Sequence, residues 1–161
     1  MDRRGFMHSG VGAVGLMMMA QTAHGQEAEG NKSTMKIKLY GVPVDDQEKA
    51  LKFYTEILGF VKKQEIPMGP VRYLTVVSPL ELDGTELSLE PAGFPAVRTY
   101  QKALHDIGVP YTAFEVEDIQ KEYERLTGLK VAFKSKPVKM GPVIQAIFDD
   151  TCGNLLQIYQ V

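Results

Sequence analysis

The chain has 161 residues, of which 44% are hydrophobic and 24% are charged. This composition is typical of one globular domain with a substantial buried core, and it excludes an intrinsically disordered protein. The formal net charge is −2, without a basic run or basic face, so the sequence predicts no nucleic-acid partner. Cys152 is the only cysteine, which excludes an internal disulfide and a cysteine-cluster metal site.

The start of the chain has the order of an export signal. The pair Arg3-Arg4 is followed by an apolar stretch from Val11 to Ala20, which is too short for a permanent membrane span. Small residues then precede a cleavage position after Gly25. The paired arginines resemble the twin-arginine signal of the pathway that exports folded proteins.

We therefore predict a twin-arginine signal peptide over residues 1–25 and a polar linker over residues 26–35. The protein is then periplasmic or otherwise exported after cleavage of the signal, with no permanent membrane span. The alternative is a cytoplasmic protein whose translation begins at Met35.

The remaining domain, residues 36–161, contains an internal repeat. Val44-Asp45-Asp46 corresponds to Val116-Glu117-Asp118, and Met68-Gly69-Pro70-Val71 corresponds to Met140-Gly141-Pro142-Val143 at the same spacing. Gly84 then corresponds to Gly153 at a shorter spacing, so the second hairpin loop is the shorter one. The repeat predicts two modules, over about residues 36–91 and 109–160.

Hydrophobic spacing gives the same order of elements in both copies. In the first copy we predict strands over 36–44, 60–66, 71–78 and 85–90, and a helix over 47–58 that Asp45 or Asp46 caps and Gly59 ends. A connecting helix over 95–107 follows. In the second copy we predict strands near 111–116, 130–134, 143–149 and 154–160, and a helix over 119–127.

The predicted fold class is therefore α+β, with two βαβββ modules that form a curved mixed sheet around a cleft. One such module is short of core by itself, so the two must pack together to bury their apolar faces. A concave, mostly apolar cleft is the default place for a small ligand.

Three segments resemble the glyoxalase/bleomycin resistance protein/dioxygenase superfamily, also called the vicinal oxygen chelate superfamily. The segments are Val44 to Phe60, Ala113 to Asp118, and Phe148 to Gln157. The resemblance covers residues 36–160 and implies the fold above, a small-molecule ligand and a homodimer. It leaves the reaction open, because members include isomerases, ring-cleaving dioxygenases and metal-free drug-binding proteins.

In the metal-dependent members, His and Glu side chains from four strands hold the metal. The resemblance places those positions here on Leu39, Tyr111, Gln157 and one residue of the strand 86–90. The repeat selects Ser88 for the last of these, whereas we prefer Glu90 and, after it, Glu86. His8 and His24 lie in the predicted signal and His105 lies on the connecting helix, so we predict no metal ligands and no cofactor, although a divalent metal stays an alternative.

The candidate ligand-binding residues are Leu39, Tyr73, Tyr111 and Gln157, and the candidate catalytic residue is Glu90. Desolvation in an apolar cleft would suit Glu90 to act as a general base, whereas a strand-end glutamate in water has no such role. Tyr111 and Gln157 either orient a ligand by hydrogen bonds or fill the former metal site, and Tyr73 is either pocket wall or core.

Three functions remain open on the sequence. The first is metal-free binding of a small, partly aromatic molecule. The second is a metal-dependent lyase, isomerase or dioxygenase of the glyoxalase type. The third is an enzyme without metal that uses Glu90 as its base.

Overall fold

The computed structural model describes residues 33–161, and all elements of that part lie in one compact unit, Lys36–Val161. The predicted signal peptide and most of the predicted linker lie outside the described residues. The strands are β1 (Leu39–Val44), β2 (Val61–Met68), β3 (Val71–Val77), β4 (Glu86–Pro91), β5 (Thr112–Glu115), β6 (Val138–Met140), β7 (Val143–Asp149) and β8 (Leu155–Gln160). The helices are α1 (Gln47–Lys52), α2 (Pro95–Ile107) and α3 (Ile119–Gly128). No helix in residues 33–161 has the length and apolarity needed to cross a membrane.

The strands form two four-stranded sheets with the same topology. Their orders are β1-β4-β3-β2 and β5-β8-β7-β6. In each sheet the first and last strands of a module pair parallel, and the other neighbours pair antiparallel. The predicted α+β class with two βαβββ modules is confirmed.

The helix starts follow the repeated acidic residues. The Asp46 carboxylate accepts a hydrogen bond from the Lys49 amide at 2.8 Å, and the Asp118 carboxylate accepts one from the Lys121 amide at 3.0 Å. These bonds satisfy amides that have no partner in the first helical turn. After α1 the chain continues as a π-helical segment, Phe53–Ile57.

The repeated Met-Gly-Pro segments are tight turns between antiparallel strands. Gly69 and Gly141 have φ values of 65° and 60°, a left-handed conformation that glycine adopts without strain. The first turn joins β2 to β3 and the second joins β6 to β7. β2 lies at the edge of its sheet and has a bulge between Lys62 and Gln64.

The predicted strand over 130–134 is wrong. Lys130 has a left-handed φ of 67°, and Phe133 makes only an isolated bridge to Phe148. The strand that pairs with β7 begins after Pro137, at Val138. A proline lacks the amide donor that a strand interior needs, so pairing starts beyond it.

One apolar core joins the two modules. Tyr54, Leu126 and Phe148 are fully buried members of this core. The rings of Phe60 and Phe114, one from each module, lie 5.2 Å apart between centroids in an edge-to-face arrangement. The shared core fixes the two modules side by side and leaves cavities at the places where their contact is incomplete.

Candidate functional site

A cavity of about 330 Å³ lies beside β1 and the start of α2. Its lining is mainly apolar and aromatic, with one carboxylate. The lining residues are Gly41, Pro43, Glu90, Ala96, Val97, Tyr100 and Tyr111. Two of the sequence-predicted site residues, Glu90 and Tyr111, are thus brought together.

Two tyrosines, Tyr100 and Tyr111, line this cavity, and a third, Tyr40, packs against Tyr111. The Tyr111 ring centroid lies 6.2 Å from that of Tyr40 and 6.5 Å from that of Tyr100, both in tilted or edge-on arrangements. The Tyr40 hydroxyl donates a hydrogen bond to the Tyr111 carbonyl oxygen at 3.4 Å. Burial raises the pKa of Tyr111, and Tyr40, Tyr100 and Glu90 raise it further, so its phenol stays a hydrogen-bond donor at neutral pH.

Gly41 makes room for the Glu90 carboxylate. A Cβ atom at Gly41 would lie 2.7 Å from Glu90 Oε1. The two residues lie on neighbouring parallel strands, where Pro43 is the register partner of Glu90. Glu90 is exposed in the single chain, so the enclosure that a general base needs must come from a ligand or a second chain. Its role as a base stays a prediction.

The strand registers relate the site positions of the two modules. Ser88 pairs with Gly41 in the first sheet, and Gln157 pairs with Ala113 in the second. Ser88 is therefore the structural counterpart of Gln157, as the repeat indicates. Glu90 lies two residues further along β4, on the same face of the sheet.

Glu86, the other candidate on this strand, is engaged within its own sheet. Its Oε2 accepts hydrogen bonds from Thr75 Oγ1 at 2.7 Å and from Gln64 Nε2 at 3.1 Å. Its register partner on β1 is Leu39. These bonds hold the Glu86 carboxylate against β3 and β2, away from the tyrosines.

The other predicted site residues lie apart from the tyrosines. Leu39 is 46% exposed on β1, and Tyr73 is half-buried on β3 opposite Ile66. Gln157 is half-buried in the middle of β8. None of Leu39, Tyr73 and Gln157 lines the cavity that contains Glu90 and Tyr111.

The four family positions do not fit a divalent metal. Leu39, Ser88, Tyr111 and Gln157 present an alkyl group, a hydroxyl, a phenol and an amide, with no imidazole or carboxylate. Transition metals in proteins are held by imidazole, thiolate and carboxylate groups. Within residues 33–161 no three His, Cys, Asp or Glu side chains lie close enough together to hold a metal ion.

A larger cavity of about 840 Å³ opens between the modules beside β5 and α3. Its floor includes Phe60, Phe114 and Phe148, and its rim includes residues 78–80 and Lys121. It shares no lining residue with the tyrosine-lined cavity. Our sequence interpretation missed it, although the longer hairpin loop of the first module was a signal of asymmetry between the modules.

A buried polar network lies between the modules and α2. Gln101 Nε2 donates to Pro43 O at 2.9 Å, to Cys152 O at 3.1 Å and to Asn154 Oδ1 at 3.0 Å. Asp150 Oδ2 accepts from Tyr54 Oη at 3.2 Å and from Asn154 Nδ2 at 2.6 Å. The network ties the connecting helix to both modules, and the sequence analysis identified neither Gln101 nor Asp150.

His105 and Cys152, a potential base and a potential nucleophile, both lie near the hairpin between β7 and β8. His105 Nε2 lies 2.9 Å from Asp149 Oδ2, so this histidine joins α2 to the end of β7 and is half-buried. Cys152 is buried, and burial raises the pKa of its thiol to about 12. The thiol is therefore protonated at neutral pH and unreactive.

The sequence profile of the Glyoxalase/Bleomycin resistance protein/Dioxygenase superfamily matches residues 36–158. The Bacillus subtilis (strain 168) protein YurT is 56% identical over 126 residues, which cover 78% of this chain and 99% of YurT.

Two solved structures resemble the chain at lower sequence identity. The structure of UcmS2 is 29% identical with a TM-score of 0.69, and covers 79% of this chain and 98% of its own. TnmS3, an antibiotic binding protein from Streptomyces sp. CB03234, is 28% identical with a TM-score of 0.64, and covers 81% of this chain and 98% of its own. The profile match, the YurT match and the paired βαβββ modules agree: the chain belongs to the glyoxalase/bleomycin resistance protein/dioxygenase superfamily.

Proposed function

We propose that this protein binds a small, partly aromatic molecule in the tyrosine-lined cavity, without a bound metal. The observation that carries the proposal is the meeting of Tyr100 and Tyr111, the latter packed on Tyr40, at a recess that Glu90 also lines. Flat aromatic faces bind planar ligands by stacking and edge contacts, while phenol and carboxylate groups fix their orientation.

The size and chemistry of the recess suit such a ligand. A volume of about 330 Å³ is at the small end of the usual range for ligand pockets. The protonated Tyr111 phenol is a donor, and the exposed Glu90 carboxylate is an acceptor. A ligand with one ring and both a donor and an acceptor would therefore satisfy the polar groups of the recess.

The comparisons support binding over catalysis. TnmS3 is described as an antibiotic binding protein, and it is related to this chain over almost its full length. The four positions that hold a metal in metal-dependent members carry groups that do not fit one here. Both observations favour sequestration of a small molecule.

A ligand screen with a matched tyrosine pair tests this function. The full chain is titrated calorimetrically with a panel of planar aromatic compounds, and the best binder is repeated with Tyr111→Ala and Tyr123→Ala. Tyr123 packs on Phe133 and lines neither cavity, so it controls for the loss of a ring. We expect about tenfold weaker binding for Tyr111→Ala, from the lost ring contacts, and an unchanged affinity for Tyr123→Ala.

Equal affinity of both variants and the native chain would overturn the assignment of the site. Metal content is measured in parallel after the protein has been offered nickel, zinc, manganese and iron(II). One equivalent retained through dialysis would contradict the metal-free proposal and favour a metal-dependent enzyme.

We also propose that two copies associate through the exposed apolar side chains of the outer strands. Met68 on β2 and Met140 on β6 are 59% and 54% exposed, and Ile66 and Val138 are 50% and 46% exposed. The two residues on β2 and the two on β6 add exposed apolar area to the outer strand of their sheet, and such area is typical of a protein interface. Light scattering is expected to give a dimer for the native chain and a monomer for Met68→Lys with Met140→Lys. A monomeric native chain would contradict this.

Export remains part of the proposal, on the support of Arg3-Arg4 and the apolar stretch behind them. Cell fractionation is expected to find the native chain outside the cytoplasm and the Arg3→Lys, Arg4→Lys double variant inside it. If both are cytoplasmic, the signal assignment fails, and the start at Met35 becomes the better interpretation.

A further inference from the structure

The larger cavity lies at a place where the two modules differ. On one side of the module interface, the sealed side, residues 150–152 of the second module form hydrogen bonds with the first module. On the other side, the open side, the corresponding residues 78–80 of the first module border the 840 Å³ cavity.

On the sealed side a lysine closes the contact. Lys49 Nζ donates to Asp45 Oδ2 at 2.6 Å and to the Thr151 carbonyl oxygen at 2.7 Å. The Asp45 amide donates to the Cys152 carbonyl oxygen at 3.3 Å. The buried Tyr54 hydroxyl adds its hydrogen bond to Asp150. Side-chain and backbone oxygens of the hairpin thus satisfy every one of these donors.

On the open side the buried hydrogen bond between Tyr54 and Asp150 has no counterpart in the described part of the chain. Leu126 corresponds to Tyr54, and Ser78 corresponds to Asp150. The longer loop that begins at Ser78 turns outward, with Leu80 90% exposed. Leu126, Phe114 and Phe148 are left as the apolar wall of the cavity.

Lys121 is the repeat counterpart of Lys49 and lies on the rim of the cavity. Within residues 33–161 no hydrogen bond or ion pair engages its ammonium group. Arg125, the other cation on the rim, is bound to Glu122 at 2.6 Å and to the Ile57 carbonyl at 2.9 Å. Lys121 is therefore the donor for which a ligand oxygen would take the place that Thr151 O has beside Lys49.

We propose that this cavity is a second binding site, which takes an apolar aromatic molecule with one acidic oxygen group placed at Lys121. Its volume is within the range of drug-sized ligand pockets. The aromatic floor provides contact area, and Lys121 provides the charge partner. Four carboxylates also line the cavity and oppose an anion, those of Glu115, Glu117, Asp118 and Glu122. Glu122 is paired with Arg125, Asp118 accepts from the Lys121 amide and Glu115 accepts from the Tyr159 hydroxyl, whereas the Glu117 carboxylate makes no hydrogen bond within residues 33–161. Removing the Glu117 charge should therefore strengthen the binding of an anion.

Two probes that share an aromatic body test the site on the full chain. One is 8-anilinonaphthalene-1-sulfonate, and the other is N-phenyl-1-naphthylamine, which lacks the sulfonate. We expect one-to-one saturable binding of both, with amide NMR shifts at Phe60, Phe114 and Val116. Shifts confined to Gly41, Tyr100 and Tyr111, or to the first 35 residues, would overturn the proposal, as would the absence of saturable binding.

Charge variants test the role of Lys121. We expect Lys121→Gln to weaken binding of the sulfonate about three- to fivefold, the size of an exposed ion pair, and Glu117→Gln to strengthen it. Lys139→Gln, at an exposed lysine of β6, is the matched control, and no variant should change binding of the uncharged probe by more than about twofold. An unchanged sulfonate affinity in Lys121→Gln would overturn the charge assignment. Tyr111→Ala separates the two proposals, because it alters only ligands of the tyrosine-lined cavity.

Discussion

At the residue scale, the buried carboxylate of Asp150 organises the hairpin. Its two oxygens accept from the amides of Cys152 and Asn154 at 2.8 Å and from the side chains of Tyr54 and Asn154. A buried donor that loses its acceptor retains the full cost of desolvation. The stability of the sealed side of the interface therefore depends on this one group.

We expect Asp150→Asn to lower the free energy of unfolding by about 1–3 kcal/mol, because the new amide cannot accept all four bonds. Urea titration at neutral pH measures this change in the free energy of unfolding. Asp83→Asn, a change at an exposed loop carboxylate, is the control and should be near neutral. A loss no larger than that of the control would show that the network contributes little to stability.

The same carboxyl predicts a pH dependence. Burial raises the pKa of Asp150, and the hydrogen bonds from Asn154, Cys152 and Tyr54 only partly counter it. Its contribution to stability is fully present below about pH 4, the unfolded value, and part of it is lost as the pH rises through the folded value. The difference in unfolding free energy between the native chain and Asp150→Asn should fall from pH 4 to neutral pH. A difference that rises over this interval would contradict the burial argument.

The site residues show what single positions could and could not reveal. Tyr111 was identifiable from its place in the family pattern, and Glu90 from the alternation of strand 86–90, although the repeat itself selects Ser88. The structure brings Glu90 and Tyr111 together. Tyr40 and Tyr100 were not identifiable, because one lies at the start of a strand and the other on the connecting helix. Both rings contact Tyr111 because of how β1 and α2 pack beside β5, and the periodicity of the strands does not predict that packing.

At the element scale, the turn between β7 and β8 is fitted to α2. Gly153 has a φ of 101°, and a Cβ atom there would lie 2.8 Å from Gln101 Nε2. The amide of Gln101 has three acceptors and little freedom to move away. The glycine thus serves both the backbone conformation of the turn and the close approach of the helix.

We expect Gly153→Ala to destabilise the fold by about 1–3 kcal/mol through left-handed strain and displacement of Gln101. Gly128→Ala is the matched control, because Gly128 ends α3 with no atom within 4 Å of an added Cβ. The control should stay within about 0.5 kcal/mol of the native chain. Thermal and urea unfolding of both variants would decide, and equal stability would contradict the proposed fit.

Most elements were predictable because each has a local signal. The bounds of α2 follow from Pro95 at its start and Gly108, with a φ of 77°, at its end. The failure at 130–134 had a local cause that outweighed periodicity. Val131 and Phe133 alternate as a strand would, but Pro137 delays pairing, and both side chains pack against the core from a loop.

At the scale of the whole molecule, the two sides of the module interface are built differently. The Asp45 amide is bonded across the interface, whereas its repeat counterpart, the Glu117 amide, has no acceptor within residues 33–161. The same pair of modules therefore meets through a buried hydrogen-bond network on one side and, on the other, around a cavity at whose rim Arg125 donates to the Ile57 carbonyl.

Hydrogen exchange should report this difference. After correction for intrinsic rates, we expect the Asp45 amide to exchange at least about tenfold more slowly than the Glu117 amide. The Lys49 and Lys121 amides, both bonded to a capping aspartate, are the internal control and should be alike. Equal protection of Asp45 and Glu117 would show that the open side is closed in solution.

The edge strand of the first sheet, β2, is protected against pairing with a strand of a second copy. β2 has two exposed lysines, Lys62 and Lys63, a bulge between Lys62 and Gln64, and a proline at position 67. Each of these blocks the backbone of a second strand from adding to the sheet. The corresponding edge, β6, has only three residues. Backbone pairing between copies at either edge is thus discouraged, and contact between two copies is left to side chains, such as those of Met68 and Met140.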